Sequence, residues 1–115
     1  MNVCFCHGDF HYANILWNNK KISAVLDWEL SGIGNKEFDI AWAIINRPSQ
    51  KFLRTQKEVN EFIKGYKSVN SCNISYVEYY KILIYSHFIS VNPKDIEYQE
   101  FVRKWLKRKT KNFKG

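Results

Sequence analysis

The feature that most constrains this chain is a change of hydrophobic period near residue 37. Before it, short β-prone runs lie between turn residues. Asn2–Cys6 reads as a first strand and Ile15–Trp17 as a second. Asn18, Asn19 and Lys20 form a turn, and Lys21–Asp27 alternates into a third strand with Ile22, Ala24 and Leu26 on one face and Val25 on the other. Two runs about such a turn predict a small hairpin. Residues 31–36 carry Gly32 and Gly34 and read as a loop. After them the period is helical. Phe38–Asn46 is a short apolar helix stopped before Pro48. Residues 50–69 place Val59, Phe62, Ile63 and Tyr66 at i, i+3, i+4, i+7, and residues 74–90 are strongly apolar. Asn92-Pro93 is a start signal for a last helix, in which Tyr98, Phe101, Val102 and Trp105 repeat the helical spacing. A β-rich start followed by about four helices is an α+β order, not an alternating βαβ one. The reading is one partial domain over residues 1–115, with a loop-and-hairpin part at 2–37 and a helical part at 38–115.

The charge is uneven. The 115 residues carry a formal charge of +7, and Arg103, Lys104, Lys107, Arg108, Lys109, Lys111 and Lys114 follow the last acid, Glu100. The other 11 bases balance the 11 acids, so the excess is a basic C-terminal tail on a neutral body. Such a tail reads first as a solvated helix end whose cations favour the C-terminal pole. Contact with nucleic acid or an anionic surface is the less favoured second reading. Three cysteines make a disulfide framework a poor fit. No signal peptide and no run long enough to span a bilayer is apparent, so a reducing, cytoplasmic setting is expected.

The chemistry-bearing stretch is His7-Gly8-Asp9-Phe10-His11-Tyr12-Ala13-Asn14, followed by Asp27-Trp28-Glu29. Phosphoryl transfer to an alcohol needs a carboxylate beside the attacking hydroxyl and oxygen ligands that hold Mg²⁺ against the nucleotide phosphates. A loop presenting Asp9 and Asn14, just before a hairpin whose far end returns Asp27, supplies these groups at one end of a sheet. Taken singly, Asp9 also fits a turn, Asn14 a strand start, and Asp27 and Glu29 ordinary strand-end acids. Cys4, Cys6, His7 and His11 do not match common zinc-ligand spacing. Gly32-x-Gly34 lacks the strand, glycine-rich turn and helix of a dinucleotide loop.

His-Gly-Asp-x-x-x-x-Asn followed by a strand ending in Asp-x-Glu resembles the aminoglycoside phosphotransferase family, which includes choline, homoserine and methylthioribose kinases. It is similar to the catalytic-loop and metal-binding segments of protein kinases. Asp39-Ile40-Ala41-Trp42 resembles the family's Asp-Leu-Ala, and Gly65-Tyr66 is also family-like, so the resemblance covers about residues 2–70. It implies the C-terminal lobe of a kinase-like fold. It also implies that Asp9 is the catalytic base, that Asn14 and Asp27 are Mg²⁺ ligands and that Glu29 is an auxiliary acid near the metal. His7 and Asp39 would be structural, Asp39 accepting backbone N–H bonds from the loop. Tyr12 and Ala13 stand where the family often has Pro and Gly.

The function so implied is ATP-dependent phosphotransfer to a hydroxyl of a small molecule, with Mg²⁺ and ATP. The Gly-rich phosphate loop, the strand Lys and its helix Glu find no counterpart before His7 or after it. A truncated form lacking the nucleotide-binding N-lobe is therefore expected, a separate N-lobe being one candidate partner, with poorly covered apolar faces on the strands and on residues 38–46 and 74–90. The few acids on the later helices (Glu78, Asp95, Glu97, Glu100) tilt the acceptor away from polycationic aminoglycosides. The alternative is a non-catalytic remnant or a binding module using the basic C-terminal helix.

Overall fold

A computed structural model describes residues 3–47, 53–91 and 94–114, with the side chains of Thr110, Asn112, Phe113 and Lys114 left undescribed. The elements run β1 (Val3–Cys6), β2 (Ile15–Asn18), β3 (Lys21–Val25), β4 (Gly32–Asn35), α1 (Lys36–Ile44), α2 (Gln56–Lys67), α3 (Ile74–Val91) and α4 (Ile96–Lys114). A single 3₁₀ turn, Tyr12–Asn14, leads into β2. Short antiparallel strands followed by four helices make the α+β arrangement that the change of period predicts.

The β2–β3 hairpin closes on Asn19 (φ 50°) and Lys20 (φ 65°). Two consecutive left-handed residues give the primed turn whose twist suits a two-residue hairpin. Ile15 pairs with Val25, Leu16 with Ala24, Trp17 with Ile22 and Asn18 with Lys21, so Ser23 is the extra residue of a bulge. The bulge interrupts the alternation expected over residues 21–27. The strand also ends earlier than expected, at Val25, because Asp27 turns to φ 61°.

Residues 32–35, expected in a loop, instead form β4, antiparallel to β1 with Val3 opposite Asn35 and Cys6 opposite Gly32. The backbone groups of β1 need a partner, and Gly32–Asn35 supplies it with two positions that carry no side chain. A Cβ on Gly34 would lie 3.6 Å from Cys6 Sγ. Cys4, Cys6 and Cys72 are free thiols.

Three helix starts differ from expectation. α1 begins at Lys36 rather than Phe38, with Glu37 and Asp39 in its positive first turn. α2 begins at Gln56 rather than near residue 50, where a capping box forms: Thr55 Oγ1 accepts from Glu58 N and the Glu58 carboxylate accepts from Thr55 N. For α4, Asp95 Oδ1 accepts from Tyr98 N at 3.0 Å, so Asp95 caps the helix. The expected signals Pro48 and Asn92-Pro93 lie outside the described residues.

The core is helical. Ile40, Ala41, Ala43, Ile44 and Ile45 pack on Val77, Ile84 and Tyr85 of α3 and on Tyr98, Val102 and Trp105 of α4. Residues 38–46 are thus well covered, contrary to expectation. The strands stay open: Val3 is 66% exposed, Phe5 67%, Trp17 62% and Ile33 82%. Buried polar groups tie the helices together. Glu37 accepts from Asn73 N at 3.1 Å, and Asn46 donates its N–H to Tyr85 Oη while its carbonyl accepts from Tyr98 Oη. Burial pushes the Tyr85 hydroxyl up to about 12. No helix among the described residues is long and apolar enough to cross a membrane.

Candidate active site

The site is built where β1 runs into the loop. His7 is buried and uses both ring nitrogens: Nδ1 accepts from Asp9 N at 3.1 Å, and Nε2 lies 2.7 Å from the Leu26 carbonyl. A carbonyl only accepts, so the proton belongs on Nε2 and the ring is the neutral tautomer. His7 therefore pins the loop that carries Asp9 to the end of the hairpin. Gly8 takes φ 89°, and a Cβ there would stand 2.2 Å from the Leu30 carbonyl oxygen. A side chain is excluded by both backbone conformation and space. Asp39, in the first turn of α1, closes the loop from the other side. Its Oδ2 accepts from His7 N at 2.7 Å and its Oδ1 from Gly8 N at 3.0 Å. Two N–H bonds to one carboxylate are charge-assisted and fix the loop to α1.

Asp9 is held by its neighbours at one oxygen more than the other. Oδ1 accepts from the Trp42 indole Nε1 at 2.8 Å. Asn14 Nδ2 donates to the Asp9 carbonyl at 2.8 Å and lies 3.4 Å from Asp9 Oδ2. His11 Nε2 stands 3.4 Å from Asp9 Oδ1. Burial lowers the pKa of His11 and the Arg47 cation lowers it further, while Asp9 opposes both.

Asn14 turns its NH₂ toward Asp9, which leaves its carbonyl oxygen on the opposite side of the planar amide. Its backbone carbonyl accepts from Leu26 N at 2.7 Å, placing Asp27 next to a residue bonded to Asn14. Asp27 and Glu29 are exposed. Among the described residues neither carboxylate makes a hydrogen bond or ion pair. Trp28, between them, is anchored by Nε1 to the Val25 carbonyl at 2.8 Å and by its ring 4.5 Å from His7.

The oxygen donors Asn14 and Asp27 suit a hard cation. Two protein ligands are enough for Mg²⁺, which keeps several waters. Among the described residues no group of three or more His, Cys, Asp or Glu side chains is arranged around a common point for a metal.

Sequence reasoning missed two participants. Trp42 lies three residues after Asp39, a spacing that puts both on one face of α1, toward the loop. Arg47 donates to the Trp42 and Ile45 carbonyls and sits 5.3 Å over the Trp42 ring. It caps the exposed carbonyl end of α1 while stacking on the ring that holds Asp9. Burial holds Arg47 below its ordinary pKa, and the charge of Asp9 works against that. Phe38, at 5.9 Å, and Phe88, at 5.4 Å, complete the packing of Trp42.

No curated protein and no solved structure matches this chain. A family model described as the phosphotransferase enzyme family matches residues 1–70. That span runs from β1 through α2 and contains His7, Asp9, Asn14, Asp27, Glu29 and Asp39. With more than half of its length matched, the chain belongs to the phosphotransferase enzyme family, the aminoglycoside phosphotransferase-like group.

Proposed function

We propose that residues 3–47 form the acceptor and metal side of an ATP-dependent phosphotransferase acting on a hydroxyl of a small molecule. The observation that carries this reading is the arrangement of Asp9 and Asn14. Trp42 occupies Asp9 Oδ1, leaving Oδ2 as the oxygen that orients an acceptor hydroxyl and takes its proton as the phosphoryl group is transferred. The Asn14 NH₂ holds the Asp9 carboxylate and backbone together, so its carbonyl oxygen is directed away from the base. That oxygen and the Asp27 carboxylate would hold Mg²⁺, and Glu29, two residues on, would assist from the rim. When bound, the metal supplies positive charge to the nucleotide phosphates. The chain's own residues fix the base: His7 and Asp39 set the loop, and Trp42 sets the carboxylate. In this reading His7 and Asp39 touch no substrate.

The test is ³¹P NMR detection of phosphate-ester formation from ATP, Mg²⁺ and a panel of hydroxylated metabolites, run with the protein alone and with a separately supplied nucleotide-binding lobe. Product should fall by about 10²–10⁴ in Asp9→Asn, with little change in nucleotide affinity. Equal product from Asp9→Asn and the native protein would remove Asp9 as the base. No product under any of these conditions would remove the phosphotransferase reading of this chain.

A further inference from the structure

A second site lies away from Asp9, Asn14 and Asp27. Between the start of α2, the middle of α3 and the C-terminal half of α4 is a cavity of about 420 Å³, walled by Arg54, Lys81, Arg108 and Lys109. Its floor is aromatic, made by Tyr85, Phe101 and Trp105. The volume falls within the range of small-molecule sites.

The charge in this cavity is poorly balanced. Lys81 Nζ lies 3.5 Å from Glu78 Oε1 and Lys109 Nζ lies 3.2 Å from Glu78 Oε2, so two ammonium groups share one carboxylate. Both also stand over the Trp105 ring, at 5.1 and 5.6 Å. The Lys81 side chain is only 12% exposed. Burial lowers its pKa, Glu78 raises it, and Lys109 lowers it again. Arg54 and Arg108 form no ion pair among the described residues. Glu58, the acid nearest the start of α2, is committed to the Thr55 capping box. The positive end of the α2 dipole, at Thr55 and Gln56, borders the same space. Four cations, one carboxylate and a helix N-terminus around one recess leave a surplus that a multiply charged anion would neutralise.

We propose that this cavity binds a phosphate-bearing small molecule, its anionic group among Lys81, Lys109, Arg54 and Arg108 and its apolar part on Tyr85, Phe101 and Trp105. A phosphate group carries about −1.5 to −2 charge near neutrality and several strong acceptor oxygens, which suits clustered point charges better than a single carboxylate does. A recess of about 420 Å³ with aromatic lining favours a small ligand over nucleic acid, which would follow the outward cations of α4. The proposal does not rest on phosphotransfer at Asp9.

The experiment is calorimetric titration of the intact protein with inorganic pyrophosphate, with EDTA present so that no divalent cation takes part. One saturable site is expected. Binding should weaken about tenfold or more in Arg108→Gln and Lys81→Met, in line with loss of a hydrogen bond to a charged group. It should change less than about twofold in Arg103→Gln, which removes the same charge from a face of α4 turned away from Phe101, Trp105 and Arg108. If Lys81→Met fails to fold by circular dichroism, Arg54→Gln, altering an exposed side chain, takes its place beside Arg108→Gln with the same expectation. Absence of saturable binding, or equal weakening by Arg103→Gln and Arg108→Gln, would overturn the proposal, the latter pointing to diffuse binding along a basic helix.

Discussion

The two sides of the site are built differently. Around Asp9, the loop is held by named partners: His7 on the Leu26 carbonyl, Gly8 and His7 on Asp39, Asp9 on Trp42 and Asn14. Around Asp27 and Glu29 the carboxylates are exposed and make no such bonds among the described residues. The difference teaches where preorganisation is needed. The base proposed at Asp9 would have to hold one geometry before the substrate arrives, because misplacement of a reacting group is costly. Carboxylates that bind a metal, as proposed for Asp27 and Glu29, would gain their geometry from the ion and its waters, and leaving them solvated avoids burying unpaired charge.

Breaking the locked side should cost the most. Gly8→Ala should destabilise the protein by about 3 kcal/mol or more. It adds a left-handed penalty of roughly 1–2 kcal/mol to a backbone clash with Leu30. Chemical denaturation checks this, and an unchanged midpoint would show that the loop is not held as described. Asp39→Asn keeps one acceptor and loses the charge, and a cost of about 1.5–3 kcal/mol is expected in the same experiment. Trp42→Phe retains the packing against Phe38 and Phe88 but removes the donor to Asp9 Oδ1. It should cost about 1 kcal/mol and lower kcat more than KM in any phosphotransfer assay that the native protein passes. On the open side, Glu29→Gln should leave stability within about 0.5 kcal/mol. A loss comparable to that of Asp39→Asn would erase the contrast between the two sides.

Those residues also show what was legible beforehand. The hairpin and the helical second part followed from turn residues and period, because Asn19 and the i, i+3, i+4 pattern act locally. β4 was not legible: Gly32 and Gly34 carry no strand signal, and the pairing comes from the need of β1 for a partner 26–32 residues away. The start of α2 was legible in Thr55-x-x-Glu58 and was overlooked in favour of a longer apolar period. The order Asp9, Asn14, Asp27, Asp39 was legible as a motif, and the structure brings Asp9, Asn14 and Asp39 together around one loop. Trp42 and Arg47 act through tertiary contacts, and only the spacing of Trp42 from Asp39 hinted at the first.

The most direct test of this account is an NMR titration of the native protein with Mn²⁺ as a paramagnetic stand-in for Mg²⁺. Preferential broadening of the Asn14 side-chain amide and of the Asp27 backbone amide is expected, reversed by excess Mg²⁺ and lost in Asp27→Asn, while the Trp42 indole resonance keeps its position. Broadening centred on Glu97 and Glu100, or broadening at Asn14 that persists in Asp27→Asn, would contradict the assignment of the metal side.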